Sequence, residues 1–117
     1  SCMPLFRPGL GDATERYVRH ENGYIEYRYA PGNTCEIVNV EVAPSHRRRG
    51  IARQLLDDLV KEVEGKAGVI YAITMESNKT AQSWYQNVGF NDSSLLYNFY
   101  GVGSDAILYG KPLNRSE

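Results

Sequence analysis

Residues 39–53, Asn-Val-Glu-Val-Ala-Pro-Ser-His-Arg-Arg-Arg-Gly-Ile-Ala-Arg, constrain the fold of this chain more than any other stretch. A β-branched run stops at Pro44, a basic turn follows, and Gly50 opens a pattern of helical period. A strand, a tight loop and a helix start in that order make an anion site. The first turn of a helix leaves backbone N–H groups unpaired, and the helix dipole favours negative charge there. Arg47, Arg48, Arg49 and Arg53 place side-chain donors around the same point, and Gly50 has no Cβ to hold a phosphate away from the backbone. The ligand expected there carries a phosphate or a pyrophosphate.

The flanking segments supply the elements that such a loop needs. Residues 3–13 hold Pro4, Pro8, Gly9 and Gly11 and read as an irregular lead-in. Residues 14–20 read as a short strand, Asn22-Gly23 as a type I′ hairpin turn with positive φ at both positions, and residues 24–29 as a half-buried strand of alternating period. Pro31-Gly32-Asn33 is a second turn before a longer strand over residues 34–42, so the first third is an antiparallel meander. Beyond Gly50, the residues Ile51, Ala52, Leu55, Leu56, Leu59, Val60 and Val63 share one helical face, and Gly65 is the stop. Residues 69–75 form an apolar strand. Ser77 or Asn78 can cap a second helix carrying Ala81, Trp84, Tyr85 and Val88, which Gly89 ends. Strand, helix, strand in that order implies a parallel pair joined by a right-handed crossover. Residues 90–100 and 105–113 read as a closing hairpin around Gly101-Val102-Gly103-Ser104. The expected fold is α/β, of the α+β kind: one domain over residues 1–117 built on a mixed sheet.

Charge and cysteine count narrow the function. A net charge of −1 disfavours general nucleic-acid binding, which calls for a broad positive face. No apolar run approaches the roughly 20 residues that span a bilayer, and no secretion signal is evident, so a cytoplasmic location is expected. Cys2 and Cys35 are too few for a disulfide framework, and no Cys/His spacing resembles a metal site, so no metal is expected.

Two motifs together carry a family resemblance. Arg47-x-x-Gly50-x-Ala52 follows a strand and opens a helix, and Asn78-x-x-Ala81-x-x-x-Tyr85-x-x-x-Gly89-Phe90 follows one crossover later. Alone, the first is also explained by a solvated arginine turn and the second by one apolar helix face. In this order and on these elements they resemble the two signatures of the GNAT superfamily of N-acetyltransferases. The resemblance covers residues 14–113. It implies acetyl-CoA as cofactor and an acyltransferase in which a primary amine attacks the thioester directly. Pantetheine would lie along the backbone of Val40, Glu41 and Val42, and the pyrophosphate on Arg47, Arg48, Arg49, Gly50, Ile51, Ala52 and Arg53. Asn78 and Tyr85 would contact the cofactor, with Tyr85 the acid for the departing thiolate. Glu36 stands where histone-type members carry their base. Glu41 lies at odd spacing from it, so the two face opposite sides of a regular strand, and a bulge changes that. His20, His46 and relay through water are further candidates, and for either glutamate the plain reading is a solvent-facing strand residue.

The closing hairpin, Leu96-Tyr97-Asn98-Phe99-Tyr100 and then Asp105-Ala106-Ile107-Leu108, is similar to that of ribosomal-protein N-terminal alanine acetyltransferases, although Ile73 stands where those enzymes carry a strand glutamate. By that similarity Asn39 and Tyr100 border the acceptor, a peptide N-terminus or a small amine. Family members usually begin with a strand and one or two helices, which this chain replaces with its lead-in. The acceptor side is therefore expected to be open or completed by a second copy in a homodimer. The alternative function is a non-catalytic acetyl-CoA-binding regulatory module.

Overall fold

In the computed structural model, which describes residues 15–46 and 50–113, six strands form one mixed sheet. The lead-in and Arg47, Arg48 and Arg49 lie outside the described residues. Strands β1 (Arg16–His20), β2 (Gly23–Ala30) and β3 (Thr34–Val42) make the antiparallel meander. A 3-10 turn over Pro44–His46 leads towards α1 (Ile51–Val63), which crosses to β4 (Val69–Met75), parallel to β3. Helix α2 (Lys79–Asn87) then leads to β5 (Asp92–Leu96) and β6 (Ala106–Pro112). The sheet order is β1-β2-β3-β4-β6-β5, so the hairpin folds back and the last strand, not the first, pairs with β4. Neither helix is long and apolar enough to cross a membrane.

Both helices cover the same face of the sheet. Ile51, Leu55, Leu56, Leu59 and Val63 of α1 are buried in one cluster with Ile25, Tyr27, Cys35 and Ile37 of the meander and Ile70 and Ala72 of β4. Tyr85, Val88, Phe90 and Tyr109 extend that cluster under α2. Each such leucine or isoleucine contributes about 1.5–3 kcal/mol by leaving water, so the apolar stripe, more than intrinsic propensity, holds α1 in place.

The hairpin turn differs from the expected one. The two-residue loop is Glu21-Asn22, with Gly23 already in β2 opposite His20, and neither Asn22 nor Gly23 has positive φ. Gly23 is required for a different reason: a Cβ there would stand 2.6 Å from the Glu41 carbonyl oxygen and 3.3 Å from Val42. Gly23→Ala is therefore expected to destabilise by about 1–3 kcal/mol, as overpacking against backbone does. Urea unfolding should show a lower midpoint at unchanged slope; an unchanged midpoint would mean that β3 shifts freely.

The register of β2 on β3 slips once. Glu26 faces Asn39 and Tyr27 faces Ile37, so Val38 is an extra residue in β3. A bulge of this kind reverses the alternation beyond it. Cys35 and Ile37 before it and Val40 and Val42 after it all turn to the helices. Glu36, Asn39 and Glu41 consequently share the opposite face, where Arg28, Glu26 and Tyr24 stand across from them on β2. The regular-strand expectation of opposed carboxylates does not hold.

Candidate active site

The end of the candidate site richest in backbone donors is the start of α1. Gly50 is its N-cap at φ 78°, in the left-handed region, and among the described residues no side chain caps the helix. Gln54 is the first residue whose N–H finds a partner within the helix, the Gly50 carbonyl at 2.9 Å. The N–H groups of Ile51, Ala52 and Arg53 precede it, in the turn whose donors a helix cannot itself satisfy. No acidic residue occupies that turn, and no described atom comes within 4 Å of where a Gly50 Cβ would stand. The guanidinium of Arg53, expected to face the anion, points elsewhere: its Nη2 donates to the Asn87 carbonyl at the end of α2, at 2.8 Å.

From this point a wedge opens between two parallel strands. β3 and β4 pair only at Thr34 with Val69, Cys35 with Ile70 and Glu36 with Tyr71. Beyond that, β3 continues to Val42 on β2 alone, and β4 continues to Met75 on β6 alone. The bulge at Val38 sits two residues after the last shared pair, just where the strands part. Val40, Glu41 and Val42 form one lip and Ile73, Thr74 and Met75 the other. Asn39 Oδ1 and Thr74 Oγ1, one on each strand, are buried without a hydrogen-bond partner among the described residues. A slim, amide-bearing ligand with an anionic end fits the wedge and the helix start together.

The candidate side chains are found in different surroundings. Glu36 is buried at the apex of the wedge, and its Oε1 accepts from Arg28 Nε at 3.2 Å and Tyr71 Oη at 3.5 Å. Arg28 also pairs with Glu15 at 3.6 Å. Glu41 is half-buried opposite Tyr24, whose hydroxyl accepts from Asn39 Nδ2 at 3.3 Å. Tyr85 comes from the helix side and is 2% exposed, its ring stacked on Tyr109 at 5.5 Å and edge-on to Trp84 and Phe90. Asn78 caps α2, its Oδ1 accepting from the Ala81 N–H at 3.1 Å. Tyr100 lies in the β5–β6 loop, its N–H bonded to the Ser104 carbonyl at 3.0 Å. His20 is committed to the first turn, where its Nδ1 accepts from the Asn22 N–H at 3.0 Å, and His46 bonds Ser45 at 2.9 Å. Burial, with the Glu36 carboxylate beside it, pushes the Cys35 thiol up to about 12, so Cys35 stays protonated and is no nucleophile.

Sequence reasoning missed the company of Glu36. Arg28 and Tyr71 are each one of many polar strand residues, and only the register sets them against the same oxygen. Tyr71 and Ile73 also line a cleft of about 710 Å³ on the face away from the helices, with Thr34, Leu108, Gly110 and Asp92.

A mixed sheet whose parallel strands part in front of a glycine-headed helix defines an acyl-CoA-binding class of fold. Residues 13–90 match the model of the acetyltransferase (GNAT) family, well over half of the chain. The chain belongs to that family. It is 32% identical over 82 residues to the ribosomal protein bS18-alanine N-acetyltransferase of Salmonella typhimurium, covering 67% of this chain and 55% of that protein. It thus spans about half the length of the curated relatives it matches. A solved structure assigned to the GNAT family, from Desulfovibrio desulfuricans, superposes with a TM-score of 0.71 at 26% identity, over 83% of this chain and 65% of that one. An acetyltransferase from Bacillus subtilis solved in complex with CoA superposes with a TM-score of 0.67 over 80% of this chain and 70% of that one; at 24% identity it bears on the fold alone.

Proposed function

We propose that this chain is an acetyl-CoA-dependent N-acetyltransferase acting on a primary amine, with the N-terminus of a peptide as the acceptor. The observation that carries the proposal is the parting of β3 and β4 directly ahead of an uncapped, glycine-headed helix start. When bound, acetyl-CoA supplies the thioester whose acetyl group passes to the amine nitrogen, the C–N bond forming as the C–S bond breaks. The N–H groups of Ile51, Ala52 and Arg53 would hold the pyrophosphate, and the backbone of Val40, Glu41 and Val42 the pantetheine arm. Tyr85 Oη would give a proton to the departing sulfur, since a tyrosine hydroxyl is protonated near neutrality. Glu36, a buried carboxylate at the apex of the wedge, would take the amine proton, directly or through water.

The peptide acceptor rests on the name of the Salmonella relative and on the build of the β5–β6 loop. Asn98 Oδ1 accepts from the Gly103 N–H at 2.9 Å and Asp105 Oδ1 from the Asn98 N–H at 2.8 Å. Those bonds fix a loop that presents Tyr97 and Phe99 to solvent, and rigid aromatic side chains lose little entropy on contacting a peptide.

A non-catalytic acetyl-CoA-binding module is the second reading. It is favoured by the burial of Tyr85 in an aromatic stack and by the guanidinium on Glu36. Calorimetry with CoA, followed by thiol release from acetyl-CoA with an alanyl peptide and with spermidine, separates the possibilities. Binding with peptide-dependent release supports the enzyme. Binding without release on either acceptor supports the module, and no binding removes both. Glu36→Gln is expected to lower turnover by about 10²-fold at unchanged CoA affinity, as loss of a general base does. Intact turnover in that variant would move the role to Glu41 or to water.

A further inference from the structure

Arg53 sits at the wrong end of its own helix. A cation in the first turn of α1 is disfavoured by the helix dipole, and the side chain leaves that turn to reach a carbonyl 34 residues further along the chain. The last turn of α2 explains why. Its carbonyls are accounted for one by one: Trp84 accepts from the Val88 N–H at 3.1 Å, Gln86 from Gly89 at 3.2 Å and Tyr85 from Phe90 at 2.9 Å. The bond from Phe90 back to Tyr85, with Gly89 at φ 104° between them, is a Schellman closure. The Asn87 carbonyl lies outside this scheme, and Arg53 Nη2 takes it at 2.8 Å. α2 has no basic residue in its own last turn. The positive charge that its dipole favours is supplied from α1.

Arg53 therefore belongs to two structures. Its backbone N–H lies in the anion-binding turn ahead of Gln54, and its side chain completes the cap of the helix that carries Tyr85. We infer that Arg53 is a positioning residue, a strut that holds the phosphate-binding turn of α1 in register with Tyr85 on α2. The inference rests on the acetyltransferase reading above. Pyrophosphate and sulfur lie at the two ends of the pantetheine arm, so the distance between their binding groups decides whether the hydroxyl meets the sulfur when the phosphates are seated. Small errors in such placement are costly to rate and cheap in affinity.

The test uses Arg53→Met and Arg53→Lys. In the free protein, hydrogen exchange of the amides of Val88, Gly89 and Phe90 should quicken about tenfold in Arg53→Met, with the sheet amides unchanged, as a local loss of protection. Calorimetry should place the CoA dissociation constant within about threefold of the parent, while kcat with acetyl-CoA falls about tenfold from mispositioning. S-acetylpantetheine has no pyrophosphate to seat, so parent and variant should turn it over alike. Lysine keeps the charge and one donor, and should restore most of the exchange protection. A rise in the dissociation constant equal to the whole fall in kcat/KM would make Arg53 a phosphate ligand and overturn the inference. So would an equal loss with S-acetylpantetheine, or unchanged exchange at the end of α2. A parent that neither binds CoA nor releases thiol would count against the acetyltransferase reading, while the exchange experiment would still report on the strut.

Discussion

Gly50→Glu abolishes CoA binding and leaves the sheet folded: that is the expected result of calorimetry and circular dichroism on this variant. Gly50 holds φ 78°, and a side chain in that left-handed region costs about 1–2 kcal/mol. The cost is bounded because no described atom lies within 4 Å of the new Cβ. A carboxylate at the head of α1 is itself attracted to the open N–H groups and to the helix dipole, which offsets part of the strain. That same attraction fills the anion site from within and sets a negative charge against the phosphates. Loss of several N–H contacts to phosphate should weaken binding at least about 100-fold, or about 2.7 kcal/mol. Gly50→Ala separates backbone strain from charge and should retain most of the affinity. A folded Gly50→Glu protein with parental affinity would remove the anion site from this helix.

Tyr85→Phe should lower kcat by about 10²–10⁴-fold, the usual worth of a positioned acid, at nearly unchanged CoA affinity. The substitution deletes one oxygen and keeps the ring between Trp84, Phe90 and Tyr109, so the packing under α2 survives. Thermal unfolding should therefore report an intact fold. If turnover is untouched, the thiolate departs without Tyr85, and the residue serves only as a core ring.

The strand and helix bounds were largely legible because each rests on local chemistry. The apolar stripe from Ile51 to Val63, the Asn78 cap and the glycine at position 89 each act within a turn or two of chain, and all three stand where local rules put them. The motif around Gly50 was legible for the same reason: a helix start exposes its donors whatever surrounds it. Glu36 was legible as a candidate and not in its condition, because the Arg28 bond depends on the exact β2–β3 register and the Tyr71 bond joins residues 35 apart in sequence. The Asn22-Gly23 dipeptide pointed to the right hairpin for the wrong reason. Gly23 is demanded by the approach of the Glu41 carbonyl, a contact between strands, not by the turn.

The sequence by itself determined the element order, the meander, the parallel crossover and the glycine-headed start of α1, since periodicity, caps and turn residues act locally. Tertiary structure alone decided that β6 lies between β4 and β5, that the bulge at Val38 turns Glu36 and Glu41 to one face, and that Arg53 caps α2. Each of these is a choice among pairings of similar local cost. It is settled only when distant segments meet, because one extra residue in a strand reverses every side chain beyond it, and an arginine stem can reach many acceptors until the fold sets the Asn87 carbonyl 2.8 Å from Arg53 Nη2.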